Sequence, residues 1–200
     1  MKQRDRLSRR PPKRDPKKRF LIVCEGKVTE REYFDHTGHL FRHVILEISP
    51  GGDPKSLVER AIEKKKDSEE KAKKDANELY DQIWCVCDVD EHPRLPDARQ
   101  QARDNKIKMA VSNPCFELWA LLHFQDQNAH IGRAKVRALC KEHMPGYHKR
   151  LPCELLLPLY SDALRRSTEL DRRYTADSRE GANPSTGVYK LTEEIRSQPA

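Results

Sequence analysis

The sequence contains no apolar run close to the roughly 20 residues that a helix needs to cross a bilayer, which argues against a membrane protein. Its N-terminus is basic but lacks the apolar segment of a secretory signal, so we expect a cytoplasmic protein. Hydrophobic residues make up only 36% of the chain, yet distinct apolar runs remain, which argues against a disordered protein. The sequence shows no internal repeat.

Without an export signal, the cysteines do not predict a disulfide framework, and we expect reduced and mostly buried thiols. The six are Cys24, Cys85, Cys87, Cys115, Cys140 and Cys153. A zinc site built from Cys140, His143, His148 and Cys153 is an alternative. The spacing C-x2-H-x4-H-x4-C matches no common zinc finger, which weakens this alternative.

The positive charge of the chain is concentrated at its N-terminus. Residues 1–19 hold ten Lys or Arg and two Asp, a net charge of +8, so the +7 of the whole chain leaves −1 for the rest. Such a segment is expected to be a disordered tail, either an arm that binds nucleic-acid phosphates or a solubilising terminus. We divide the remainder into an α/β core, residues 20–130, and a helical C-terminal extension, residues 131–200.

The core alternates strand and helix patterns, which predicts an α/β fold with a mostly parallel sheet flanked by helices. The predicted strands are 20–24, 43–49, 82–87 and 106–112. The first of these, "FLIVC", is apolar throughout, as expected of a strand covered on both faces. The extension has three predicted helices, at 133–143, 155–175 and 185–196.

Local signals set the expected starts of several helices. Thr29 and Glu32 form a capping box, which predicts a helix from Glu30. The charged segment 55–75 is expected to be a helix, whole or broken. The apolar helix pattern "NPCFELWALLHF" is expected to start near Asn113, because proline is favoured in a first helical turn.

Carboxylates follow two of the predicted strands. Glu25 comes directly after the first strand, and Asp88 and Asp90 come at the end of the third. Ligands bind at the carboxyl ends of the strands in open α/β sheets, so we expect these groups to meet, with Glu30 close by. Carboxylates gathered in one cleft repel one another without a cation, and their oxygens suit Mg²⁺ or Mn²⁺. Taken singly, each motif is also consistent with ordinary hydrogen bonding in a loop.

Five further residues are candidates for the same site, each with a structural alternative. Glu117 interrupts an apolar helix and is a possible metal ligand, or a surface glutamate. His92 is a possible phosphate contact, or an exposed loop histidine. Asn113 is a substrate contact or a helix cap. Asn183 or Ser185 precedes a predicted helix whose N–H groups could face phosphate, or caps a helix that docks on the core.

Strand-Glu-Gly followed by strand-Asp-x-Asp resembles the Toprim domain of topoisomerases, primases and overcoming-lysogenization-defect nucleases. Four segments, "CEGKVTEREYF", "CDVDEH", "SNPCFELWALLHF" and "NPSTGVYKL", more closely resemble the RloB-like family, found in bacterial anti-phage and abortive-infection loci. The resemblance spans residues 20 to about 195. It implies a Toprim-like fold and a Mg²⁺- or Mn²⁺-dependent endonuclease acting on RNA, such as tRNA, or on DNA. Glu25, Asp88 and Asp90 would be catalytic.

The resemblance also implies a partner, an ABC-type ATPase encoded nearby. It does not decide whether the chain forms a homo-oligomer. A competing hypothesis is a non-catalytic module that binds nucleic acid or that partner. A third is phosphoryl transfer through Asp88, as in haloacid dehalogenase-like phosphatases. Their nucleophile usually follows the first strand, and His92 stands where their motif continues with Thr or Val, so this hypothesis is the weakest.

Overall fold

The structure, a computed structural model, describes residues 17–41, 44–50, 52–89, 94–179 and 181–198. The strands are β1 Lys18–Cys24, β2 Val44–Pro50, β3 Gln82–Asp88, β4 Lys108–Asn113 and β5 Ser185–Thr186. The helices are α1 Thr29–Leu40, α2 Pro54–Ala72, α3 Leu95–Asp104, α4 Glu117–Phe124, α5 Arg133–His143, α6 Cys153–Leu156, α7 Tyr160–Ala176 and α8 Val188–Arg196. Within these ranges no helix is long and apolar enough to cross a membrane.

The strands form one sheet in the order β2-β1-β3-β4-β5. The first four are parallel, and β5 pairs antiparallel with the end of β4. Helices cover both faces, and the last third of the chain is mainly helical, so the predicted α/β fold class is confirmed. The predictions missed β5, which comes from the C-terminal extension and joins that extension to the sheet.

Both faces of the central strands are buried, which explains the continuous apolar run of β1. Leu21 and Val23 pack with α2 and α3 on one face. Phe20 and Ile22 pack on the other face with α1, α4, α5, α7 and α8. Full burial of a large apolar side chain stabilises a fold by roughly 1.5–3 kcal/mol, so these strands anchor the site at their ends.

The first strand and the first helix begin differently from prediction. Strand β1 includes Lys18, whose ammonium group lies 2.8 Å from the Asp81 carboxylate, so the predicted tail 1–19 overlaps the folded part by two residues. Residues 1–16 lie outside the described residues. The capping box prediction is wrong: α1 begins at Thr29, whose hydroxyl donates to the carbonyl of Lys149 at 2.8 Å. A distant part of the chain thus takes the hydroxyl that was expected to cap the helix.

Two other helix predictions also need correction. The apolar helix begins at Glu117, not near Asn113, which is the last residue of β4 and precedes a cis proline. The Asn113 side chain donates to the carbonyl of Gly181 at 2.9 Å and caps no helix. The final helix begins at Val188, because the residues before it form β5. The charged helix α2 is continuous.

Candidate functional site

The acidic cavity is a hollow of about 500 Å³ at the carboxyl ends of β1 and β3. Among the described residues four carboxylates line it, and each comes from a different segment of the chain. They are Glu25 after β1, Glu30 in the first turn of α1, Asp88 at the end of β3 and Glu117 at the start of α4. Four of the five predicted acidic side chains therefore line one cavity, and the fifth, Asp90, lies outside the described residues.

The pairing of β1 with β3 places the carboxylates of Glu25 and Asp88 side by side. The main-chain N–H of Glu25 donates to the carbonyl of Val86 at 3.0 Å, which continues the ladder past the end of β1. The Glu25 carboxylate accepts a hydrogen bond from the main-chain N–H of Asp88 at 3.2 Å. Residues 63 positions apart in sequence are thus brought together by strand register alone.

The glycine of the Glu-Gly pair makes room for a third carboxylate. A Cβ atom at Gly26 would overlap the carboxylate of Glu30. Glu30 is itself buried, and this burial raises its pKa. Main-chain N–H groups of Glu30 and Gly26 oppose the rise, while the charges of Glu117 and Glu25 add to it. Gly26 therefore allows Glu30 to lie inside the cavity, where its charged form is disfavoured.

The pKa of Asp88 is strongly raised. The residue is only 9% exposed, and burial followed by repulsion from Glu30 raises its pKa to about 8. The Arg133 guanidinium, 3.2 Å from the carboxylate of Asp88, partly opposes the rise. A strong rise in the pKa of a buried carboxyl is typical of a functional site.

Glu117 is stabilised as a carboxylate instead. Burial alone would raise its pKa, but its own main-chain N–H, the thiol of Cys115 and the guanidinium of Arg137 outweigh that effect and lower the pKa. Arg137 lies 2.9 Å from Glu117, and the hydroxyl of Tyr147 donates to the same oxygen at 3.4 Å. Asp88 and Glu117 thus each have an arginine partner.

Cationic side chains surround the acids, and the sequence predictions missed them. They are Lys27, Arg133, Arg137, Lys141 and Lys149. Three of the five lie four residues apart on α5, at 133, 137 and 141, and therefore share one face of the helix. This R-x3-R-x3-K spacing was the signal in the sequence that could have revealed them.

The segment 144–152, between α5 and α6, brings further side chains to the cavity. Its Tyr147, His148 and Lys149 line the wall. The carbonyl of Lys149 accepts the hydroxyl of Thr29, and Arg150 lies 3.2 Å from Glu32. The helical extension thus completes the cavity rather than merely packing on the core.

Three predicted substrate contacts lie away from the acidic cavity. The side-chain amide of Asn183 both accepts from and donates to the main chain of Ile131, at 2.9 Å each way. Ser185 is buried in β5, and Asn113 is bonded to Gly181. None of the three lines the cavity, so the structure gives them positions in the fold and no place in this site.

The remaining candidates are Asp90, His92 and the residues of the alternative zinc site. Asp90 and His92 lie outside the described residues. The zinc alternative is wrong as proposed, because the thiol of Cys140 donates to a main-chain carbonyl and His143 pairs with Gln125. All six cysteines are buried and free.

The acidic cavity fits a divalent cation by the chemistry of its donors. Its carboxylate oxygens are the ligands that Mg²⁺ and Mn²⁺ prefer. The described residues nevertheless place no three acidic, histidine or cysteine side chains around one point where an ion would be held. Arg133 and Arg137 form ion pairs with the carboxylates of Asp88 and Glu117. The residues thus offer suitable ligand atoms, and their arrangement would have to change to hold a cation.

The fold and the cavity together define a mixed α/β protein with carboxylates at the ends of neighbouring parallel strands. Residues 20–195 match the RloB-like protein family, and the chain belongs to that family. No curated protein and no solved structure gives a significant match.

Proposed function

We propose that the protein is a metal-dependent phosphodiesterase that cuts nucleic acid, either RNA such as tRNA or DNA. One observation carries the proposal: four carboxylates from separate segments share a cavity with five cationic side chains. Carboxylate oxygens that converge from separate strands and helices suit a divalent cation as ligands. Lysine and arginine at the rim suit the phosphates of a nucleic acid.

The proposed cation is Mg²⁺ or Mn²⁺, with Glu25 and Asp88 as its principal ligands. Asp90 is a further predicted ligand, and Glu30 and Glu117 lie in the same cavity. When bound, such a cation polarises a phosphodiester and supports an attacking water or hydroxide.

The side chains of the protein would bind and orient the substrate. Arg133, Arg137 and Lys141 lie along one face of α5 and would contact successive phosphates. Arg133 would leave Asp88 for a phosphate, which frees that carboxylate for the cation. Glu30 would give a proton to the leaving oxygen, because burial raises its pKa.

A second candidate function is a module that binds nucleic acid or a protein without catalysis. The ion pairs Arg133–Asp88, at 3.2 Å, and Arg137–Glu117, at 2.9 Å, favour it, because arginines then replace the cation. Under this alternative the protein would cleave no nucleic acid, and the cavity would bind no Mn²⁺.

The biological setting is also part of the proposal. The resemblance to RloB-like proteins supports a cytoplasmic effector of phage defence that works with an ABC-type ATPase. Co-purification of the tagged chain with the product of a neighbouring ATPase gene tests this. Failure to recover that ATPase after chemical cross-linking would remove the partner from the proposal without affecting the nuclease.

The first experiment is a cleavage assay on tRNA, single-stranded RNA and plasmid DNA, with Mg²⁺, Mn²⁺ or EDTA. Glu25→Gln and Asp88→Asn are compared with Glu63→Gln, an exposed position on α2 that does not line the cavity. We expect the two cavity variants to lose at least about 10²-fold in rate, as for removal of a group that stabilises developing charge. The control should keep its activity.

Calorimetric titration with Mn²⁺ accompanies the assay, because cleavage could require the partner. We expect one or more sites in wild type and in Glu63→Gln, and much weaker binding in Asp88→Asn. Equal Mn²⁺ binding in all proteins, or none in any, would contradict the metal site and favour the binding module.

A further inference from the structure

A second hollow, the edge groove, runs along β4 between α3 and the C-terminal helices α7 and α8. Its volume is about 450 Å³. The residues that matter below are Arg99, Arg103, Met109, Asp171, Gly187 and Lys190. The groove lies beside a strand rather than at its end, and nothing in the proposed cleavage reaction uses it.

Strand β4 has an open edge in this groove. Its partner β5 pairs only with Ser112 and Asn113, and no other described strand lies on that side. The carbonyl of Ser112 points toward β3, since it accepts from Val89 at 2.7 Å. The carbonyl of Val111 points the opposite way and accepts from Gly187 at 2.9 Å.

Main-chain groups of successive strand residues alternate between the two sides, so Met109 faces outward like Val111. Among the described residues no hydrogen bond to the N–H or carbonyl of Met109 is formed on that side. Met109 is half-buried and lines the groove. It therefore presents one donor and one acceptor in strand geometry, which is the usual template for an added strand.

The groove also has an excess of positive charge. Arg99 and Arg103 lie one turn apart on α3, and neither forms an ion pair with a carboxylate of the described residues. Lys190 is already paired with Asp171 at 2.5 Å. The two guanidinium groups of α3 are thus available to a negatively charged ligand.

We propose that the edge groove binds an extended, acidic segment of a partner protein as an additional strand on β4. The segment would exchange two main-chain hydrogen bonds with Met109. Its alternate side chains would point toward α3, where carboxylates would meet Arg99 and Arg103. This inference is independent of the proposed nuclease activity.

The geometry favours a peptide over a nucleic-acid strand. A phosphodiester backbone has only acceptors and could bond the N–H of Met109 but not its carbonyl. A peptide offers both partners at the spacing of a strand. An acidic peptide also satisfies Arg99 and Arg103, which an apolar strand would leave without counter-charges.

The probe is a fluorescein-labelled peptide of eight alternating Glu and Val residues, measured by fluorescence anisotropy. We expect Arg99→Gln and Arg103→Gln each to weaken its binding about tenfold, as for the loss of one charge-assisted hydrogen bond. Arg172→Gln, which removes an exposed guanidinium on α7 outside the groove, is the matched control and should bind as wild type does. Thermal melts confirm that every variant is folded.

A second probe leaves the protein unchanged. The same peptide with N-methyl groups on alternate amides keeps its charge. Alternate amides of a strand face opposite sides, so each of the two methylated peptides loses the main-chain hydrogen bonds along one edge. Methylation of the amides that face β4 should weaken binding at least about tenfold, since both hydrogen bonds to Met109 depend on the alignment of the peptide with that strand. Equal binding of the peptide methylated in either register would overturn strand addition.

Two further outcomes would also overturn the proposal. One is no peptide binding at concentrations up to about 1 mM, the range of the weakest specific contacts. The other is a labelled single-stranded oligonucleotide that binds with the same dependence on Arg99 and Arg103 while the peptide does not, which would make the occupant a nucleic acid.

Discussion

The acidic cavity and the edge groove are similar in size, about 500 and 450 Å³, and both carry cationic side chains. They differ in their acids. Four carboxylates line the cavity, whereas Asp171 is the single carboxylate among the described residues that line the groove. Under our two proposals the cavity would attract a cation and a phosphate together, whereas the groove would attract an anion.

The difference follows from where each hollow lies on the sheet. Parallel strands end at one edge of the sheet, so side chains such as Glu25 and Asp88 converge there. The groove lies along the side of β4, where the main chain of Met109 is exposed instead. In this fold, the strand ends bring side chains together, and the open strand edge exposes main-chain groups.

The largest effect should come from adding a side chain inside the acidic cavity, which tests whether the cavity rather than the groove is the site of cleavage. Gly26→Ala would push the carboxylate of Glu30 aside, and because that side chain is flexible the fold should survive. We expect the Mg²⁺-dependent cleavage rate to fall about 10–100-fold, the usual cost of disturbing groups around a metal. Gly52→Ala, where the nearest atom would be Ser56 Cβ at 3.5 Å, is the control.

Initial cleavage rates and thermal melts together decide this prediction. A melting temperature close to wild type with a low rate supports a role for Glu30 in the site. Full activity in Gly26→Ala would show that Glu30 is not needed where the structure places it.

A smaller effect should follow from removing one cation of the cavity. Arg137→Gln takes away both the partner of Glu117 and a proposed phosphate contact. We expect KM for nucleic acid to rise about tenfold, and the slope of log affinity against log salt to fall by about one. Lys135→Gln, exposed on the same helix and outside the cavity lining, is the matched control. The same loss in both variants would indicate general attraction rather than a defined contact.

The smallest effect is expected on the free energy of unfolding, measured in the absence of divalent cations. The pKa of Asp88 is raised to about 8 from an ordinary 3.8, so between these values the folded protein keeps a proton that the unfolded chain has lost. The free energy of unfolding therefore decreases as pH rises from about 4 to 8. Asp88→Asn removes this dependence and should stabilise the protein more at pH 8.5 than at pH 5.

Thermal melts in EDTA at the two pH values measure this effect, at about 2–4 °C for each kcal/mol in a chain of this size. Asp97→Asn, exposed on α3, is the control. A shift for Asp88→Asn that is the same at both pH values would mean that Asp88 is ionised throughout and that burial does not control it.

The sequence alone determined the four parallel strands and the principal acids. Apolar runs mark strands covered on both faces, and alternation with helices sets those strands parallel. It follows that Glu25 and Asp88 lie at one edge, and this follows without knowing any long-range contact. Glu30 and Glu117 were also predicted for this site, although the capping box that was used to place the start of α1 does not form.

Only the tertiary structure decided the rest of the site. The hydroxyl of Thr29 bonds the carbonyl of Lys149, 120 residues away, rather than capping its own helix. That contact brings segment 144–152 to the cavity, and the charges of α5 reach it because the helix packs across the start of α4. Local patterns carry no information about which distant segment will meet them. Contacts of this kind are fixed by how the helices share one core, and therefore appear only when the chain is folded.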